Sequence, residues 1–392
     1  MRSTPLTPEQ LCDLFAELDP RLETGALADF GGLSRGTERF CAIRPATPKA
    51  LSAAVRLARL HGAPLRTRGM GHSLNGSSLP QPGEVLVRMD RFGGARFERP
   101  GTVTAGAGLV AWTLDALLAR HGLALPVKND GYDGPSVGGL IAAGGYGHGA
   151  LRHGGLWQNV ASVSLIDGHG EPRHVERDDP LFPWLFGAMG QLGIVYEAVM
   201  DAVQAPGARA PYPFGVSVST EEVAASPSLR GPGPPREEAG KHVFWFTWFV
   251  PGNRLVRALA LLKELQAAHM RVLRPFAGYQ TPVSSHGRVV PMLLFPHASP
   301  FFAVGIWGWA DELSDGLAAE LRALDEALSR AARENGFHRY LQTEIAAGPE
   351  RYRLHFGDAI YSELSRWKAE LDPACLFNRG SVFLYDPPAS EK

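Results

Sequence analysis

The nine residues Arg68 to Gly76, RGMGHSLNG, place a histidine between glycines in a polar turn. Gly69 and Gly71 carry no Cβ, so backbone there can come close to a flat ligand. His72 offers an imidazole nitrogen, a nucleophile able to bond an electrophilic carbon and so to tether a ligand covalently. Arg68, Met70, Ser73 and Gly76 complete the candidate binding loop. Upstream, HGAPLRTR reads as a short strand after a helix over Pro48 to His61, and downstream GEVLVRMDRF reads as another strand. The histidine is therefore expected on a strand-to-strand loop. Taken alone, Gly-His-Ser is more often just a polar turn, and it is a second run that gives it weight.

That run is SVGGLIAAGGYGHGALRHGG, Ser136 to Gly155, with glycine at 138, 139, 144, 145, 147, 149, 154 and 155. Each glycine costs folding entropy and is kept where backbone meets something flat or charged, so ordinary helix or strand is not expected here. Backbone N–H groups in such turns can hold a pyrophosphate without lysine. Pro135, Ser136, Gly138, Gly139, Gly144, Tyr146 and Gly147 are the candidates. The preceding PVKNDGYDGP is too polar and turn-rich for a core strand and is expected to form the rim of a site. A tethering histidine and a pyrophosphate cradle together suit a flavin nucleotide bonded through its 8α-methyl carbon.

The two runs resemble the flavin-binding domain of the vanillyl-alcohol-oxidase and para-cresol-methylhydroxylase family, which includes cytokinin dehydrogenases, alditol oxidases and berberine-bridge-type oxidases. The resemblance continues, in the family's order, through VTAGAGLVAWTLDALLARHGLALP, NVASVSLIDGHGEPRHV, DPLFPWLFGAMGQLGIVYEAVM and RWKAELDPACLFNRG, and covers roughly residues 38 to 203 and 350 to 392. It implies an α+β fold, with a two-part PCMH-type FAD-binding domain over residues 1–203, an inserted antiparallel-sheet substrate or cap domain over 204–349, and a return over 350–392. It implies FAD attached through His72 alone, because Asp133, Gly134, Pro135 and Ser136 before Val137 include no cysteine for a second link. Ala107, Gly193, Ile194 and Asn378 are implied as further flavin neighbours. Ala107 matches the position that governs oxygen access, and its small side chain leaves oxidase and dehydrogenase both open, with O2 the expected acceptor.

The resemblance fails at one informative point. Cytokinin dehydrogenases carry a Trp-Thr-Asp-Tyr run whose aspartate takes a proton from the substrate amine. Here that aspartate falls on Gly131, while Tyr132 matches the tyrosine. Asp130 and Asp133 flank the gap as alternative bases, or are solvated turn residues. Cytokinin is therefore not supported as the substrate.

From Gln204 to Gly240 the chain is rich in proline and glycine, and a different pattern follows. VFWFTWFV from Val243, GRVVPMLLFP, FFAVGIWGWA and HRYLQTEIA read as strands, and the stretches from Arg254 and Asp315 as helices. This suits an antiparallel sheet with helices on one face. Phe244, Trp245, Phe246, Trp248, Phe301, Phe302, Trp307 and Trp309 put aromatic residues on both strand faces, a surplus over what one core needs. Arg274 and the alternating Tyr340, Gln342 and Glu344 are the polar candidates. A guanidinium at Arg274 would suit a carboxylate, which brings oxidative decarboxylation in beside simple alcohol or amine oxidation.

Composition excludes little. The 392 residues are 45% hydrophobic and 20% charged with a formal net charge of −1, which suits a globular enzyme acting on a small molecule and argues against nucleic acid or an anionic membrane as partner. Cys12, Cys41 and Cys375 are odd in number and far apart in sequence, so a disulfide framework is not expected. The N-terminus has no apolar signal-peptide core and no run reaches a membrane span, so a cytoplasmic protein is expected. Gly106, Gly108 and Ala111 spell GxGxxA, which keeps an NAD(P)-dependent dehydrogenase as the competing enzyme class. His148 and His153 lack metal-site spacing, and no metal is expected. A flavin-fold binding protein without catalysis is the remaining alternative.

Overall fold

The computed structural model describes residues 5–129, 131, 134–205, 215–229, 241–269, 276–296, 300–341 and 349–380. Strands β1 (Arg21–Thr24), β2 (Arg39–Ile43), β3 (Leu65–Arg68) and β4 (Val85–Arg88) form a first sheet of order β1-β2-β4-β3. Because β4 runs parallel to both β2 and β3, the chain must cross over between them. Helix α2 (Pro48–His61) makes one crossing. Thr47 caps its start, Pro48 takes its first position, and Gly62 ends it at φ 64°. Its buried Leu51, Ala54, Val55 and Ala58 recur at helical spacing and pack with Ile43, Leu65 and Val87. The other connection, residues 69–84, has no helix and carries His72, as expected.

Helix α1 (Pro8–Leu14) packs on β2 and brings Cys12 beside Cys41. Burial and then the neighbouring Cys12 thiol push the Cys41 thiol up, and both cysteines are free. Residues distant in sequence thus meet as thiols.

The second sheet is antiparallel, with β5 (Ala95–Phe97), β6 (Thr102–Gly106), β8 (Val160–Ile166), β9 (Pro172–Glu176), β10 (Ile194–Asp201) and β12 (Val216–Val218) in the order β12-β5-β6-β10-β8-β9. A ribbon of β7 (Leu123–Ala124) and β11 (Val203–Gln204) flanks it. Helices α3 (Ala111–Ala119), α4 (Val137–Ala143), α5 (Ala150–His153) and α6 (Thr220–Ala225) occur along this stretch. Helix α4 contradicts the expectation that the glycine run avoids helix, since Gly138 and Gly139 lie in its first turn. Ser136 caps that turn, and a Cβ at Gly138 would come within 2.9 Å of Ala107 Cβ, so close packing overrides propensity there.

The third sheet is β13 (His242–Pro251), β14 (Phe276–Val283), β15 (Phe301–Ala310) and β16 (His338–Arg339), antiparallel and ordered β14-β15-β13-β16. Helices α7 (Leu255–His269) and α8 (Asp315–Asn335) cover one face, burying Phe244, Phe246, Trp248 and Val250 of β13. Alternation turns Trp245 and Thr247 the other way. Helix α9 (Pro349–Leu371), interrupted at Gly357 (φ 76°), leads back to the first sheet, where Leu65 N donates to Leu376 O and Asn378 N to Leu65 O.

Two strand expectations fail in part. GRVVPMLLFP forms turns, although Val290, Met292 and Leu293 are buried; Pro291 cannot donate to a ladder and breaks the run. In HRYLQTEIA only His338–Arg339 is strand, and the segment from Gln342 lies outside the described residues. Among the described residues, no helix is long and apolar enough to cross a membrane.

Candidate functional site

Three walls meet around a cavity of about 1410 Å3 of empty space, open mouth included. The histidine loop supplies Gly69, Met70, Gly71, His72 and Ser73. The turn into α4 supplies Pro135, Ser136, Gly138 and Gly139, beside Ala107. Gly193, Ile194 and Asn378 close the floor, and Trp245, Thr247, Thr281 and Tyr340 face them from the third sheet, with Tyr146 between. Fourteen of the eighteen expected cofactor residues therefore share one cavity with Tyr340.

The other four act from behind. Arg68 donates to Ala28 O at 2.9 Å and Ser78 Oγ at 3.3 Å, and a Cβ at Gly71 would strike its guanidinium. Gly76 donates its N–H to Asp29. Gly144 ends α4 at φ 70°, and Gly147 lies so near Lys128 O that a Cβ would be 2.0 Å away. Of the catalytic candidates, Asp130, Asp133 and Arg274 lie outside the described residues, as do Tyr132, Gln342 and Glu344. Tyr340 is buried and meets Tyr146 edge to face, with centroids 5.3 Å apart.

The walls are held by backbone and a few buried polar groups. Gly138 N donates to Ala107 O and Val137 N to Leu109 O, fastening α4 to the turn after β6, while a Cβ at Gly69 would sit 2.1 Å from Ser136 Oγ. Asn378, in the left-handed region at φ 45°, accepts from Thr67 N at 2.8 Å and donates to Met189 O at 2.7 Å. Lys368 supports it from below, with Nζ donating to Asp372 Oδ2 at 2.7 Å and Gln191 O at 2.6 Å. No Lys, Arg, Asp or Glu side chain is among the described lining residues.

Two groups escaped the sequence analysis. Asp29 accepts from Gly32 N at 3.0 Å, Gly76 N at 2.8 Å and Ser73 Oγ at 3.3 Å, so it ties both sides of the histidine loop to the preceding arm. Its burial pushes the carboxyl up to about 6 in spite of those donors. Lys368 likewise gave no signal, since one lysine on a polar helix reads as solvated.

An anionic, ring-bearing cofactor suits this cavity. Thr67 Oγ1 lines it, buried and without a hydrogen-bond partner in the protein, and such an orphan is satisfied by a ligand. Residues 41–176 match the FAD binding domain family. The chain is 33% identical over 215 residues to cytokinin dehydrogenase 7 of Oryza sativa subsp. japonica, a match over 50% of this chain and 40% of that protein. An uncharacterized oxidoreductase of the fasciation locus of Rhodococcoides fascians is 32% identical over 181 residues, 45% of this chain and 40% of that protein. D-lactate dehydrogenase of Archaeoglobus fulgidus is 27% identical over 174 residues, 42% of this chain and 39% of that protein. These likenesses support an FAD-binding domain over residues 41–176 of the kind found in the vanillyl-alcohol-oxidase and para-cresol-methylhydroxylase family of FAD-linked oxidoreductases. Matches to these relatives span about two-fifths of their length.

The competing motifs take other roles. Strand β6 is antiparallel to both neighbours, which is not the parallel βαβ setting of a dinucleotide fingerprint. A Cβ at Gly106 would lie 2.2 Å from Phe92 O and one at Gly108 1.9 Å from Met89 O, so these glycines let two chain segments cross. Among the described residues no cluster of three or more His, Cys, Asp or Glu could hold a metal. Gly131, where cytokinin dehydrogenases have their aspartate, presses on His72: a Cβ there would come within 2.8 Å of Cε1. An aspartate at that position would displace the imidazole.

Proposed function

We propose that the chain is an FAD-dependent oxidoreductase that takes a hydride from a C–H bond of a small organic substrate, with FAD tethered by His72. The reading is carried by one observation: His72, both glycine runs and the aromatic wall of the third sheet border a single cavity. FAD bound there would supply the hydride acceptor for a substrate C–H next to oxygen, nitrogen or an aromatic ring. Gly69, Gly71, Gly138, Gly139 and Gly193 would admit it by close backbone approach, and Thr67 and Asn378 would offer polar contacts. The third sheet, within the 204–349 segment, would roof the substrate. Trp245 and Tyr146 would bound an apolar substrate, Thr247 and Thr281 orient its polar atoms, and Ala107 leave room for O2 as acceptor.

We expect a yellow pellet when the purified protein is precipitated with acid, and a colourless one for His72→Ala. Colour that washes wholly into the wild-type supernatant would rule out the tether while leaving flavin binding in place.

The substrate proton needs an acceptor when the hydride leaves. Asp130 and Asp133, by their place in the rim sequence, are the candidates, while Tyr340 on the cavity wall would position the substrate. Arg274 would bind a substrate carboxylate in a decarboxylating variant, where loss of CO2 removes the need for a strong base. Steady-state kinetics separate the two. A loss of kcat of roughly 10²-fold confined to Asp130→Asn or Asp133→Asn indicates base-assisted oxidation. Losses confined to Tyr340→Phe or Arg274→Ala, with CO2 released, indicate decarboxylation. Four variants at wild-type rates would mean that the substrate lies elsewhere.

A further inference from the structure

We infer that Phe30 is a positioning residue for His72, held against that ring by the arm Ala28 to Gly32, which precedes the matched FAD-binding segment. This rests on the tether reading above. The rings of Phe30 and His72 stack with centroids 4.1 Å apart and planes 16° from parallel. An imidazole on a loop turns freely about its bond to Cβ. A phenyl face laid on it leaves one plane, while Gly131 closes on the ring edge at Cε1 and Nε2.

The arm that carries Phe30 is held on three sides. Phe30 N donates to Gly71 O at 2.9 Å and Gly31 N to Ser73 O at 3.4 Å, one bond on each side of His72. The Asp29 carboxylate joins Gly32 in the arm to Ser73 and Gly76 in the loop. Val243 N donates to Gly31 O at 2.8 Å and His242 Nδ1 to Gly32 O at 2.8 Å, so the arm also grips β13. A Cβ at Gly31 would be 3.0 Å from Val243 O, which shows how tightly it is inserted. The histidine loop is thus referenced to the third sheet through this arm.

Orientation matters because of what attachment requires. Joining an imidazole nitrogen to the 8α-methyl carbon forms a C–N bond, breaks one C–H and one N–H bond, and delivers two electrons and two protons, which dioxygen takes up as hydrogen peroxide. A ring out of plane by a fraction of an ångström at the reacting nitrogen slows such a step steeply.

The test compares wild type with Phe30→Leu, with Phe30→Met as a second ringless variant should leucine loosen the arm, and with Phe30→Trp to keep the stack. In apoprotein labelled at histidine, the His72 ring protons, assigned by their loss in His72→Ala, are expected upfield in wild type and Phe30→Trp and downfield of those positions without the ring. After FAD is added, colour in the acid pellet is expected to grow roughly tenfold more slowly in the ringless variants, with fluorescence quenching on initial FAD binding unchanged. Ring shifts that ignore residue 30, attachment at the wild-type rate in both ringless variants, or a loss of FAD affinity as large as the loss of rate would overturn the inference. A colourless wild-type pellet defeats the tether reading alone, and the ring shifts then still decide whether Phe30 holds the imidazole.

Discussion

Lys368→Met is expected to lower the unfolding free energy by about 3–5 kcal/mol. The Lys368 side chain is 6% exposed and Asp372 is fully buried. Methionine keeps the stem volume and removes only the charge. Asp372 would then be left buried with the backbone donors Leu376 N at 2.8 Å and Phe377 N at 2.9 Å, and Gln191 O would lose the ammonium. A buried carboxylate stripped of its cation costs far more than the pair itself contributes. Because the same lysine supports the turn that presents Asn378, FAD affinity should fall with stability. Urea denaturation measures the first effect and fluorescence titration the second; a stability change below about 1 kcal/mol, the range of a surface pair, would show the pair to be solvated in solution.

The second large effect is a pH dependence centred on Asp29. Its folded-state pKa is raised from 3.8 to about 6, chiefly by burial. Between those values the native state holds a proton that the unfolded chain has released, so stability falls as pH rises through the window. The contribution is fully present below about pH 4 and is lost above about pH 6, a difference on the order of 3 kcal/mol. Asparagine cannot ionise, but its amide nitrogen would face a backbone donor at Gly32 or Gly76. Asp29→Asn should therefore be the less stable protein at pH 4, and the gap should close or reverse by pH 7. Parallel stability curves for the two proteins across pH 4 to 7 would refute the assignment, since every other titrating group is common to both.

The sequence was legible where chemistry is compressed into a few consecutive residues. Gly69, Gly71 and His72 are adjacent in the chain and adjacent on the cavity wall, so local pattern and tertiary role coincide. Asp29 was not legible because its partners at Gly76 and Ser73 are more than forty residues away, and a lone aspartate in a turn looks solvated. Asn378 entered only through the family resemblance, for it reaches Thr67 across 311 residues. The errors in secondary structure have the same origin. Gly138 is kept in the helix because Ala107 leaves no room for a side chain, and Val290, Met292 and Leu293 are buried without a ladder because Pro291 interrupts it. In both cases a contact from another part of the chain outweighed local preference.

The pairing of Leu65 with the Leu376 to Asn378 turn also sets an order of events during biosynthesis. A ribosome adding about 5–20 residues per second needs roughly 15–60 s to travel from one to the other. Throughout that interval the outer edge of β3 has emerged while the residues that cap it have not, and a bare strand edge recruits other chains. Protection of that edge thus waits on a late event, so each newborn chain depends on chaperones until Leu376 to Asn378 have left the ribosome.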